Sequence, residues 1–159
     1  MLNGMMIHSE FADYYCFLGI KHYADMHEER FCDESKAYRK LCRFYLTTHN
    51  KLLSKPVFNY ESIIPQSWYK YKRSEVDVNT LRNSVNSGIE TWETWETWER
   101  ETKSIYQKMY SALLELNEID SAAMLKTIIF DVSEELKHAE QKHLRLKAMD
   151  YSVAAIFGE

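Results

Sequence analysis

DVSEELKHAEQKHLRLKAM, residues 131–149, is the stretch that decides how this chain folds. Glu135 and His138 stand three apart in it, a Glu-x-x-His spacing that lets one helix offer a carboxylate and an imidazole to one metal. Residues three or four apart on a helix share a face. Backwards from Glu135 that face holds Val132, Ile128 and Met124, and forwards it holds Ala139 and Leu146. The pair therefore interrupts an apolar stripe. A carboxylate in a core costs several kcal/mol unless something pairs with it, and a metal is one such partner. The other reading is an exposed helix whose apolar face is slightly rotated.

Glycine and proline divide the chain. The 159 residues contain four Gly and two Pro, and windows 20–55 and 89–157 contain neither. Helix formers fill both windows, so the expected class is all-α. The length suits one domain, taken as residues 1–159. No apolar run reaches the roughly 20 residues of a bilayer span, and MLNGMMIHSEF lacks a secretory leader's basic start and apolar core. Cys16, Cys32 and Cys42 are odd in number and lack metal-type spacing, which suits reduced thiols and a cytoplasmic protein. A net charge of -4 without a basic block gives nucleic-acid binding no electrostatic support.

Residues 5–18 form an aromatic, amphipathic first segment ending at Gly19, and IKHYA opens the second helix. That helix, about 22–53, has the stripe Phe31, Glu34, Tyr38, Leu41, Tyr45, with Glu34 a second carboxylate in an apolar line. Residues 54–88 contain both prolines and form a long connection, in which DVNTLRNSV is a candidate short helix capped by Asp77 or Asn79. The third helix opens with IETWETWETWERE. Trp92, Trp95 and Trp98 fan over one side, as core or interface or as a redox relay, and Glu93, Glu96 and Glu99 form an acidic flank. Its stripe is read as Trp98, Glu101, Ile105, Met109, Ala112, Leu113, Leu116, making Glu101 a third carboxylate in an apolar line. NEID turns the chain, with Asp120 the expected cap of the fourth helix. Glu101 and Glu135 stand 34 positions apart. In an antiparallel hairpin centred between them, each lies about 25 Å from the turn, at one height.

Core-facing carboxylates on several helices with a Glu-x-x-His histidine are a known way to hold two metals inside a four-helix bundle, and oxygen and imidazole donors suit iron or manganese. DESKAYRKLCRFYLTTHN, WERETKSIYQKM, FDVSEELKHAE and LGIKHYA resemble segments of ferritins, nearest the bacterial non-haem type, over residues 11–53 and 89–149. The resemblance implies a ferritin-like four-helix bundle with a long crossover between helices two and three. It also implies a di-iron site in which Glu34, Glu101, Glu135 and His138 are ligands, with Fe(II) and oxygen as substrates in a homo-oligomer. Ala37 stands where the family has a histidine, and the family's first-helix ligand falls on Met1, so either the start is truncated or Glu10 or His8 takes that role; ferroxidase activity is expected to be weak or lost. Two further readings stay open: a metal-free scaffold or interaction module on the same fold, and another dimetal carboxylate oxidase.

Overall fold

The computed structural model describes residues 1–52, 78–150 and 152. Among them are four helices and no strand: α1 (Leu2–Leu18), α2 (Lys21–His49), α3 (Val78–Glu115) and α4 (Ile119–Ala148). The all-α expectation holds. None of these helices is long and apolar enough to cross a membrane. The chain divides into two compact units, one of Met1–Leu81 with Glu159, the other of Arg82–Gly158.

In the first unit α1 and α2 form a hairpin whose turn is written in the backbone. Gly19, at φ 80, is left-handed, where a glycine has no Cβ to clash. Its N–H donates to the Cys16 carbonyl and the Ile20 N–H to the Tyr15 carbonyl, the paired bonds that close a helix and reverse the chain. The expected start of the second helix is met within a residue. It ends earlier than expected, at His49, where Asn50 turns left-handed. Ile7, Phe11, Tyr14, Tyr15 and Leu18 of α1 are buried, as are Ile20, Tyr23 and Ala24 around the turn and the start of α2. Burial of aromatic side chains dominates such a core, each removing roughly 150–250 Å² from water.

The second unit is also a hairpin, of α3 against α4. Asn117, at φ 58, plays the part of Gly19: its N–H reaches the Leu114 carbonyl and that of Glu118 the Leu113 carbonyl. Asp120 lies within the first turn of α4 and is not its cap. The cap position is Glu118, which makes no side-chain capping bond. A carboxylate in the first turn still meets the positive end of the helix dipole favourably. The helix α3 begins at Val78 and passes through Gly88, so part of the expected connection is helical. The rest of that connection, 54–77, the Trp92 side chain and the tail after Ser152 lie outside the described residues.

The expected faces of α4 and α3 fare differently. On α4 the buried line is Leu125, Ile128, Val132, Glu135, Leu136, Ala139 and Leu146, as its 3–4 spacing indicates. On α3 Trp95 and Glu99 are buried and Thr102, Tyr106, Tyr110 and Leu113 half-buried, whereas Ile105, Met109, Ala112 and Leu116 are exposed. At 100° per residue the two lines are neighbours about a quarter-turn apart, and both are apolar enough to be read as core.

Candidate metal centre

The candidate site is built from carboxylates that the helices remove from water. Glu34 and Glu135, expected from sequence, are both buried at 7% exposure, and Glu99 is buried completely. Glu101 and His138, the other two expected ligands, are exposed. Helix geometry gives the reason. Glu135 sits at the edge of the α4 buried arc, so a residue three positions on lies about 60° further round, beyond that edge. On α3 the buried line passes through Trp95, Glu99, Thr102 and Tyr106, and Glu101 lies well to one side of it. The carboxylate facing inward on α3 is therefore Glu99. A signal for it was present in the sequence: Glu99 follows Trp95 by four and precedes Tyr106 by seven. The regular Trp-Glu-Thr run conceals it, because every glutamate there looks like flank.

Within the α3–α4 unit Glu99 and Glu135 each offer a carboxylate oxygen, and the two oxygens lie within 4.8 Å of one another. Trp95 Nε1–H donates to Glu99 Oε1 at 3.0 Å, one turn back on the same helix. That bond fixes one oxygen of Glu99 and orients the group. Two buried carboxylates at this separation repel strongly if both are ionised. A cation between them, or a proton shared by them, removes the repulsion. Both donors are hard oxygens, the type that Mg, Mn and Fe(II) prefer.

Beyond this pair, α3 and α4 are joined by a second polar set near the surface. The His143 ring donates from Nδ1 to Glu96 Oε2 at 2.8 Å. Arg100 reaches Glu96 at 2.9 Å and Glu140 at 2.7 Å. The hydrogen bond from His143 holds the Glu96 carboxyl below its ordinary pKa; burial opposes the shift and Arg100 assists it. Pairs 96–143 and 100–140 fix the antiparallel register of the hairpin.

In the α1–α2 unit the polar core is a pair of imidazoles. His8 and His27 are buried and hydrogen-bonded, Nδ1 to Nδ1, at 3.0 Å. The ring of His27 stacks parallel on Tyr15 and packs against Phe11. Burial drives His8 down to about 3 and His27 well below its ordinary value, and the charge of Arg30 pushes both the same way. Both rings are neutral near neutrality, so one donates and the other accepts. The sequence offers His8 as a substitute ligand, and nothing in it marks His27. Glu34 Oε2 lies 3.7 Å from the Met1 amino group. Burial raises the Glu34 pKa, against the pull of that amino group. Ala37 is half-buried on the same helix.

No protein-family model matches this chain, and neither a curated protein nor a solved structure does. Cys16 and Cys32 are exposed and Cys42 half-buried, all three as free thiols, and the donor set contains no sulfur.

Proposed function

We propose that the chain is a metal-binding helical protein of the ferritin-like class that takes Fe(II), with Mn(II) as the nearest substitute. Glu99 and Glu135 are its central ligands. The single observation supporting this reading is the buried carboxylate pair inside the α3–α4 unit, with oxygens within 4.8 Å. Glu34 is a further buried oxygen donor, in the other unit. Glu101 and His138, exposed, are left out of the ligand set. An iron bound there supplies oxygen-reactive redox chemistry. The protein's own part is to hold two carboxylates ionised in a dry place and, through Trp95, to orient one of them. Ferroxidase activity is expected to be weak, since Ala37 offers no imidazole. Storage of iron, and assembly into a homo-oligomer, belong to the same proposal.

The test is anaerobic loading with Fe(II), removal of unbound metal and elemental analysis, on the wild type and on Glu135→Gln. Glutamine keeps the shape and removes the charge. Stoichiometric iron in the wild type, lost in the variant, supports the site. Equal and negligible iron in both leaves the pair as carboxyls sharing a proton and favours a metal-free module, for which the exposed line Ile105–Met109–Leu116 is the supporting observation.

A further inference from the structure

The helix α3 leaves an apolar line uncovered. Ile105 is 56% exposed, Met109 49% and Leu116 72%, and Ala112, also exposed, falls between the last two. Their spacing of four, three and four makes one continuous stripe on one face. Contiguous exposed apolar surface of this kind marks an interaction site. The charges beside it say what covers it. One flank has Glu101, Lys108 and Glu115, spaced by seven and all exposed, and the last two lie beside the stripe's Met109–Leu116 half. The opposite flank has Thr102, Tyr106 and Leu113, which carry no charge.

In a parallel pair of identical helices, one flank meets the opposite flank of the partner. In an antiparallel pair, each flank meets its own copy. Only the antiparallel pairing sets Lys108 against Glu115, and it does so twice, once on each side of the two-fold axis. The axis then passes midway between residues 108 and 115, beside Ala112. A small residue at that point lets the two helices approach closely, and Met109 of one copy enters the space between Ala112 and Leu116 of the other. We propose that the exposed face of α3 is the interface of an antiparallel two-fold dimer of this chain, with Lys108 of each copy paired to Glu115 of the other. The proposal is independent of the metal reading, because none of these residues is a candidate ligand.

Sedimentation of the full chain across the micromolar range tests it, with circular dichroism to confirm that each variant keeps its helices. The wild type is expected at twice the 19.0 kDa chain mass and Met109→Glu at one chain mass. Lys108→Glu breaks both symmetric ion pairs and sets like charges together, weakening the dimer by about ten-fold. The double variant Lys108→Glu with Glu115→Lys restores it. A wild type that stays monomeric overturns the proposal, as does a dimer indifferent to Met109→Glu. A double swap no tighter than the single one overturns the antiparallel register.

Discussion

His8 and His27, nineteen positions apart, share one hydrogen bond between their Nδ1 atoms at 3.0 Å in the core of the first hairpin. Neither ring is charged there, because burial outweighs what a solvated imidazole would do. The two helices are thus joined by a polar contact in which the accepting ring must keep its Nδ1 unprotonated.

The pH dependence of stability follows from that neutrality. Unfolded, each histidine titrates near its ordinary value of 6.5; folded, His8 titrates near 3 and His27 well below 6.5. Between those values the unfolded chain binds more protons, so stability is complete above about pH 6.5 and is lost as pH falls toward the folded values. Each histidine adds up to about 1.4 kcal/mol per pH unit to the slope. Glu34, raised by burial, contributes with the opposite sign and partly offsets it. In urea unfolding between pH 6 and 4.5, His27→Gln is expected to flatten the slope by about one proton's worth while lowering stability overall. An unchanged slope counts against the neutral pair.

Gly19 offers a cleaner backbone test. A Cβ built there meets nothing within 4 Å, so Gly19→Ala has no steric neighbour to disturb. The left-handed φ of 80 remains, and it costs an L-residue about 1 kcal/mol. Thermal unfolding should register that loss, and Gly19→Asn a smaller one. No difference between Gly and Ala would mean that the turn relaxes.

Arg100, with two carboxylate partners, looks more important than it is. Its side chain is 58% exposed, as is 42% of that of Glu140. Exposed ion pairs contribute about 0.2–1 kcal/mol. Arg100→Ala is therefore expected to lower the melting temperature by only a few degrees. Glu96→Ala, which also removes the acceptor of the half-buried His143, is expected to cost more.

Much of this architecture was legible in the sequence. The α1–α2 turn could be placed from Gly19, because a glycine between two helical periods has one obvious use there. The face of α4 could be read through Glu135, since only one apolar line runs along that helix. The face of α3 could not, because two apolar lines lie side by side and periodicity does not say which one faces the core. Choosing Trp98–Ile105–Met109 promoted Glu101 and hid Glu99. His138 is exposed for a different reason. Glu-x-x-His puts both residues on one side of a helix, but Glu135 already stands at the boundary of the buried arc. The His8–His27 pair was beyond reach, since nothing local specifies which residues of two helices meet.

Trp95 reports on its neighbour. Its Nε1–H is bonded to Glu99, so a paramagnetic ion held by that carboxylate lies close to the indole. Addition of Co(II) is expected to quench tryptophan emission saturably, with Trp95 contributing the largest share. Trp95→Phe should reduce that quenching and, because Glu99 Oε1 loses its donor, weaken Co(II) binding. Quenching undiminished in the variant would place the ion elsewhere.

The most direct measurement is the position of the metal itself. Crystals grown anaerobically with Fe(II) should give an anomalous difference peak at the iron edge. The expected result is a peak within about 2.5 Å of carboxylate oxygens from both Glu99 and Glu135. A well-ordered pair with no peak between its carboxylates, or peaks only at surface acids such as Glu93 or Glu140, contradicts the metal reading.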